Sequence, residues 1–255
     1  MEITADVTYF IFILARITGC IVFNQIFGRG NIPMIFQIGL SIMLAITVYG
    51  VLPPDNSLEV NLIIEYILLL IKELFVGFII GYIISMFLSV IVVAGEFIDI
   101  QLGLSMAKLF DPSSNLSMGI SSSIFNLFFM LIFFSVGGHL TLIQIFITTC
   151  KALPVGRLVF SQELFMTLIE LFSYILIYSV KLTLPILAVE FITEIGVGIM
   201  MKAIPQIHLF VVNIPLKIFI GLMAMLILVP SFASFLERLI TLMFEAIQRN
   251  LSLLV

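Results

Sequence analysis

Four long stretches of this chain, at positions 30–54, 74–95, 112–150 and 218–236, contain no charged residue. A helix that crosses a membrane requires about 20 mostly apolar residues, and each stretch is close to that length or longer. A soluble chain of this size would carry roughly 64 charged residues. This chain of 255 residues has only eleven Lys and Arg and fifteen Asp and Glu, too few to cover the surface of a soluble domain. The chain is therefore expected to be an integral membrane protein.

The same scarcity of charge excludes several functional classes. A soluble enzyme, a nucleic-acid-binding protein and a disordered scaffold all need more polar and charged residues than this chain has. Cys20 and Cys150 lie in apolar stretches and are expected to be buried thiols rather than a disulfide. His and Cys occur at no metal-ligand spacing, so the sequence predicts no metal and no other cofactor.

The apolar stretches predict helices rather than strands. They are continuous and rich in Leu, Ile, Phe and Met, whereas the strands of a membrane barrel alternate apolar and polar residues. Two further apolar segments, 7–27 and 164–191, contain internal charges and bring the total to about six. The stretch at 112–150 is too long for one straight span and is expected to hold two helices broken at Gly137-Gly138. The predicted fold class is all-α, with about six hydrophobic segments.

Proline marks several predicted ends and kinks. The segment at 31–33 contains Asn and Pro and separates the first two helices, and the Pro-Pro-Asp-Asn segment at 52–57 ends the second. Pro185, Pro215 and Pro230 lie inside apolar segments and are expected to kink or break helices.

Arg16 lies in the middle of the first apolar segment. A charge at the centre of a membrane helix costs on the order of 2.5–3.5 kcal/mol, so its guanidinium must face protein or water. The partner is either a carboxylate of another subunit or one of this chain, unless the side chain reaches the membrane surface. Lys72 and Glu73 also interrupt an apolar segment. Because adjacent helical residues point about 100° apart, these two are not expected to pair with each other.

Glu190 and Glu194 are one helical turn apart and therefore share a face of their helix. Their like charges repel each other unless a cation lies between them, and Lys181 and Lys202 are the candidates for that cation. Paired carboxylates in a membrane segment can form a proton or ion site. The alternative is that the pair marks the hydrated end of a helix.

Two glycine motifs mark special positions. Gly77 and Gly81 form a pair of small residues four apart, which permits close contact between helices. His139 follows Gly137-Gly138 and is expected to be a hydrogen-bonded residue at a helix break. A role for His139 in proton relay is the alternative.

The segment at 94–117 is amphiphilic. Glu96 and Asp99 are three residues apart near the end of a long apolar helix, and Gln101 follows. The residues after Gln101 are rich in Gly and Ser and include large apolar side chains. This part of the chain is either a plain interfacial loop or a loop that folds back into a cavity as a hydrophobic stopper. The candidate stopper residues are Gly103, Leu104, Ser105, Met106, Ala107, Lys108, Leu109, Phe110, Asp111 and Pro112.

About ten short motifs, each weak alone, are specific when taken in order. They are Arg16-Ile-Thr-Gly19, Phe27-Gly28, Asn31-Ile-Pro33, Lys72-Glu-Leu-Phe-Val-Gly-Phe78, Ala94-Gly-Glu-Phe-Ile-Asp99, Gln101-Leu-Gly103, Phe110-Asp-Pro112, Gly137-Gly-His-Leu140, Leu153-Pro-Val-Gly156, Pro205-Gln206 and Pro215-Leu-Lys217 with Gly221-Leu222. Over essentially its whole length, the chain resembles the FliR family of flagellar biosynthetic proteins, which are subunits of the type III secretion export gate.

The resemblance implies a non-enzymatic, multi-pass protein of the bacterial inner membrane at the flagellar basal body. Members of the family assemble with FliP and FliQ into a channel for unfolded flagellar proteins, with FlhB around the gate and FlhA nearby. The implied fold consists of kinked helical hairpins packed in a helical hetero-oligomeric gate. A FliP-like part covers about 1–180 and a FliQ-like part about 181–255. Many hydrophobic helices would then pack against sister subunits rather than lipid.

The resemblance also implies that the mid-chain segment, defined here as 103–117, plugs the closed channel beside a ring of methionines from FliP. His208 departs from the pattern, because a small polar residue such as Asn is expected there. A virulence-type injectisome gate is the nearest alternative function, followed by a secondary transporter. The polar residues expected to support structure or interfaces are Arg16, Lys72, Glu73, Glu96, Asp99, Gln101, His139, Glu190, Glu194, Pro205, Gln206 and Lys217.

Overall fold

The structure is a computed structural model that describes residues 2–28, 32–52, 62–105, 118–154, 156, 162–203 and 209–254. Within those ranges the regular elements are helices, without strands, as the all-α prediction requires. We number them α1 (Glu2–Val22), α2 (Met34–Val51), α3 (Ile63–Leu102), α4 (Ile120–Ser135), α5 (Gly138–Ala152), α6 (Gln162–Ala203) and α7 (Leu209–Ser252).

Three of these helices are much longer than the predicted hydrophobic segments. α3, α6 and α7 have 40, 42 and 44 residues, about twice the number that one membrane crossing needs. Four described helices are long and apolar enough to cross a membrane, or five if the bent pair α4 and α5 counts as one span. The prediction of about six segments is therefore approximate. Glu73 and Glu96, which bound one apolar stretch, lie inside α3. Lys217 and Glu237, which bound another, lie inside α7, because a charge does not by itself interrupt backbone hydrogen bonding.

The predicted break in the long uncharged stretch is confirmed. α4 ends at Ser135 and α5 begins at Gly138. Gly137 lies between them with φ of +75°. Only glycine adopts this left-handed conformation without a steric penalty, which is why helices commonly end at such a residue.

The prolines behave in two ways. Pro33 immediately precedes α2, as predicted, because a missing N–H costs nothing at a helix start. Pro185 lies inside α6, and Pro215 and Pro230 lie inside α7, so the break does not occur at these positions, and the kink stays a prediction. Each proline removes one backbone hydrogen bond, and the bonds of the surrounding turns keep the helix continuous.

The described chain divides into two compact units. The first contains Met1–Phe87, Gly137–Phe172 and Thr241–Val255, and the second contains Leu88–Val136 and Ser173–Ile240. The first unit therefore holds α1, α2, α5 and parts of α3, α6 and α7. Its core is built from aliphatic and aromatic residues of α1 and α3, including Phe12, Ile13, Ile17, Ile21, Ile79, Ile80 and Ile83.

Glycines bring α1 and α3 into close contact in the first unit. A Cβ atom on Gly77 would overlap the backbone oxygen of Arg16 and lie 2.7 Å from the nitrogen of Cys20. One on Gly19 would lie 2.6 Å from the oxygen of Leu74. The predicted role of Gly77 and Gly81 in close helix contact is confirmed, since a Cβ on Gly81 would also meet backbone atoms after α1.

The second unit joins α3 to α4 and α7. Gly95 of α3 lies against the backbone of Ser122, whose hydroxyl donates a hydrogen bond to the carbonyl of Val92 at 2.9 Å. Phe125 of α4 packs edge-to-face on Phe232 of α7, with 5.0 Å between ring centroids. The end of α3 and the start of α4 are thereby held side by side.

The glycine contact gives a direct test. Gly77→Ala should destabilise the protein by about 1–3 kcal/mol because the added methyl group overlaps rigid backbone. Gly39→Ala in α2 is the matched control, since a Cβ there meets nothing within 4 Å. It should be neutral, or stabilising by up to about 1 kcal/mol through helix propensity. Thermal unfolding of both variants in detergent measures the difference, and equal melting temperatures would contradict the packing described.

Candidate functional site

Arg16 and Glu73 form a buried ion pair in the first unit. Arg16 is 1% exposed. Its Nη2 lies 2.6 Å from Oε2 of Glu73, which also accepts a hydrogen bond from Nε at 2.7 Å. Of the three alternatives left open by the sequence, the structure has the ion pair within the chain. Lys72 forms no ion pair within the described ranges, in agreement with its different direction on α3.

The same pair binds the backbone at the end of α5. Nη1 of Arg16 donates hydrogen bonds to the carbonyls of Thr149 and Leu153, at 3.1 and 2.9 Å. Oε1 of Glu73 accepts one from the N–H of Gly156 at 3.1 Å. The last carbonyls of a helix lack the usual helical partner. Arg16 binds the carbonyl of Leu153 and adds a second bond to that of Thr149, which also accepts the N–H of Leu153 at 2.9 Å. One ion pair thus connects α1, α3, the end of α5 and the turn that follows it.

His139 lies in the first turn of α5, directly after the break at Gly137, where the sequence placed it. The side chain is half-buried. Its position fits a structural residue at the bend of α4 and α5.

Two carboxylates of α3 bind the start of α4 in the second unit. Oε1 of Glu96 accepts a hydrogen bond from the N–H of Gly119 at 2.7 Å. The carboxylate of Asp99 accepts the N–H of Ser121, at 3.1 and 3.3 Å to its two oxygens. The first N–H groups of a helix lack partners and carry partial positive charge, which a carboxylate neutralises. The spacing of three residues, noted in the sequence, puts both carboxylates on the face of α3 that meets α4.

These bonds hold together the two ends of the mid-chain segment. α3 ends at Leu102, and Gly103 follows with φ of +80° and an N–H that donates to the carbonyl of Ile100 at 3.2 Å. Leu104 and Ser105 are the last described residues before the gap. The remaining stopper candidates, Met106, Ala107, Lys108, Leu109, Phe110, Asp111 and Pro112, lie outside the described residues, as do Pro205, Gln206 and His208.

A second ion pair lies between α6 and α7. Nζ of Lys217 is 3.1 Å from Oε1 of Glu194, and Nε2 of Gln101 approaches Oε2 of Glu194 at 3.5 Å. The expectation that Lys181 or Lys202 supplies the cation is therefore wrong. Nζ of Lys181 instead lies 5.2 Å from the ring centre of Tyr178. Lys217 is more than 20 residues away along the chain, and only the packing of α7 on α6 brings it to this site.

Glu190, one turn before Glu194, is fully buried, and neither of its carboxylate oxygens has a hydrogen-bond partner. The sequence suggested that Glu190 shares a face with Glu194, but it contained no signal that one carboxylate is paired and the other is not. The partnership of Glu73 with Arg16, 57 residues away, was missed for the same reason.

The buried pair in the first unit predicts a specific mutational pattern. Arg16→Met leaves Glu73 buried without a counter-charge and should cost about 3–5 kcal/mol of stability. The double variant Arg16→Met with Glu73→Leu should recover much of that loss, because no charge then remains buried. Lys72→Met, at the residue next to Glu73, is the control, and it should change the stability of the protein little.

Melting temperatures in detergent and the amount of protein in the membrane fraction provide the measurements. Insertion into the membrane should be retained in Arg16→Met, whereas the yield of any complex with other subunits should fall. If Arg16→Met and Lys72→Met have the same melting temperature and the same complex yield, the role assigned to the pair is wrong.

Several known proteins match this chain over most of its length. The family model for bacterial export proteins, family 1, matches residues 7–243. The flagellar biosynthetic protein FliR of Escherichia coli (strain K12) is 27% identical over 91% of this chain and 88% of the relative.

The FliR proteins of Bacillus subtilis (strain 168) and Aquifex aeolicus (strain VF5) are each 28% identical. They match 96% and 89% of this chain and 95% and 86% of their own lengths. The resemblance indicated by the ordered motifs is confirmed, and the chain belongs to family 1 of the bacterial export proteins.

Proposed function

We propose that this chain is a non-enzymatic subunit of the flagellar type III protein export gate in the bacterial inner membrane. The observation that carries the proposal is the family match across residues 7–243, together with relatives named flagellar biosynthetic protein FliR that align over most of both chains. In this function the chain forms a channel with FliP and FliQ, and unfolded flagellar proteins pass through it. FlhB and FlhA are the neighbouring components, and the gate is located at the flagellar basal body.

The exposed surface of α6 supports assembly with other subunits. Large apolar residues are exposed from Phe165 to Ile199, near both ends of the helix. One membrane crossing covers only about 20 residues, so lipid alone cannot cover this surface on a straight span. Contiguous exposed apolar surface of this extent marks contacts with protein or membrane. Sister subunits such as FliP and FliQ provide the remaining cover.

The exposed apolar residues of α2 and α7 extend the same argument. Ile35 is 85% exposed on α2, and Ile227 is 73% exposed on α7. Both helices are candidate membrane spans with little of their apolar surface buried in this chain. We propose a FliP-like part at about 1–180 and a FliQ-like part at about 181–255. In that division the exposed surface of α2 would pack against FliP, and that of α7 against FliQ.

We further propose that the mid-chain segment closes the channel at rest. The support comes from its two ends, where Glu96 and Asp99 bind the first amides of α4 and Gly103 ends α3. Both ends are anchored on the second unit, so the intervening residues form a tethered element. Its apolar residues can exclude water and ions, and a substrate chain can displace it without separating α3 from α4.

Purification distinguishes this function from the alternatives. Tagged protein extracted from its native membrane should copurify in a large complex with FliP-like and FliQ-like chains. Recovery with injectisome components would instead favour a virulence-type gate. A stable lone monomer that binds a small solute would favour a secondary transporter and contradict the proposal.

Deleting residues 105–115 tests the plug. The deletion should leave the complex intact, because the bonds from Glu96 and Asp99 to α4 remain, and it should make the membrane leaky to small ions. Ion permeability is measured as dissipation of an imposed ion gradient in cells or in vesicles containing the complex. A replacement of residues 106–112 by Gly and Ser at equal length is the matched variant, and it should also leak because the apolar side chains are gone. Unchanged permeability in an assembled deletion variant would contradict the plug.

A further inference from the structure

Glu190 is the buried charge-bearing group that neither the fold nor the proposed function explains. It lies in α6, its exposed surface is 0%, and both carboxylate oxygens lack a hydrogen-bond partner. An ionised carboxylate in this position would have lost its water without gaining a replacement, which strongly disfavours the charged form. Buried ionisable groups within membrane segments usually have a function.

The surroundings of Glu190 come from three helices. A Cβ atom on Gly221 of α7 would lie 2.8 Å from Oε1 of Glu190 and would overlap Cδ2 of Leu102, the last residue of α3. Glycine at 221 therefore leaves just enough room for the carboxyl group and the leucine side chain. The carboxyl group is enclosed by this chain itself, so no lipid or partner subunit reaches its oxygens.

The charges near Glu190 do not balance. The charged groups that act on it are Lys217 of α7 and Glu194 of its own helix, and the last turn of α3 presents the uncharged Gln101 and Leu102. The ammonium of Lys217 is 3.1 Å from the carboxylate of Glu194. Lys217 supplies a single positive charge for the two carboxylates, and its ammonium group is already paired with Glu194. One negative charge remains without an opposite charge within the described residues.

We propose that Glu190 is a proton-binding site, with its carboxyl group protonated in the folded protein. The proton removes the unbalanced charge, and the neutral carboxylic acid occupies the space that Gly221 leaves beside Leu102. The site also lies against Leu102, one residue before the mid-chain segment. Loss of the proton would therefore create a negative charge at the start of that segment, beside the existing charge of Glu194. The proposal does not depend on the identity of the transported substrate.

Infrared spectroscopy of the purified protein, with any subunits that copurify, tests the proposal. The difference spectrum between the parent protein and Glu190→Gln at neutral pH should contain the carbonyl band of a protonated carboxylic acid, present in the parent only. Glu170→Gln, at an exposed position of the same helix, is the matched control. It leaves Glu190, Glu194 and Lys217 unchanged, so its difference spectrum should lack the acid band. Absence of the acid band from the Glu190→Gln difference would overturn the proposal.

A second measurement covers the case in which Glu190→Gln does not fold. Parent protein labelled with carbon-13 at the glutamate carboxyl groups should show an isotope-shifted acid band at neutral pH. If no glutamate acid band is found, no glutamate is protonated and the proposal fails. Where Glu190→Gln does fold, its melting temperature at neutral pH should equal or exceed that of the parent, because Gln has the shape of the protonated acid. A marked loss would indicate an ionised, paired Glu190 and would overturn the assignment.

Discussion

The first unit depends on burying a guanidinium group in a protein with few charges. Arg16 is tolerated at the centre of an apolar helix because Glu73 neutralises it and because its remaining donors reach the carbonyls of Thr149 and Leu153. The second carboxylate oxygen of Glu73 binds the N–H of Gly156. Breaking a buried pair of this kind leaves an uncompensated charge, which costs more than the pair contributes. The positions of α1, α3 and the end of α5 are therefore tied to one interaction.

Charged side chains in the second unit also form hydrogen bonds with backbone groups at a helix end. Glu96 and Asp99 use their carboxylates to bind the first amides of α4, where a helix has unpaired N–H groups. This places the end of α3 beside the start of α4 and defines where the mid-chain segment leaves and rejoins the fold. Glu190 differs from these carboxylates because it is buried without a donor. That contrast is the reason for assigning a proton to Glu190.

The family assignment and the exposed apolar surface support each other. A single chain with helices of 40 to 44 residues has more apolar helical surface than one bilayer crossing can cover. Neighbouring subunits of the proposed export gate would cover the rest of this surface. The surface is consistent with the proposed partners, while the names FliP and FliQ come from the family.

Composition and the ordered motifs were sufficient to predict an all-α membrane protein, the break at Gly137 and the close approach at Gly77. These features follow from local rules: apolar runs form helices, and glycine alone permits a left-handed turn or a close helix contact. Helix lengths were underestimated, because the end of an uncharged stretch is not the end of a helix. Pro185, Pro215 and Pro230 illustrate the same point, since each is accommodated within a continuous helix.

The pairing of charges was decided only by the tertiary structure. The sequence showed that Arg16, Glu73, Glu190, Glu194 and Lys217 are costly in apolar surroundings, and therefore that each needs an explanation. It could not show that Arg16 meets Glu73, or that Lys217 meets Glu194 in place of Lys181 or Lys202. A charge finds its partner through the packing of helices that are far apart in sequence, and no local pattern encodes that packing. Composition thus determined the solvent in which this chain folds, and tertiary packing determined which of its few charges are paired.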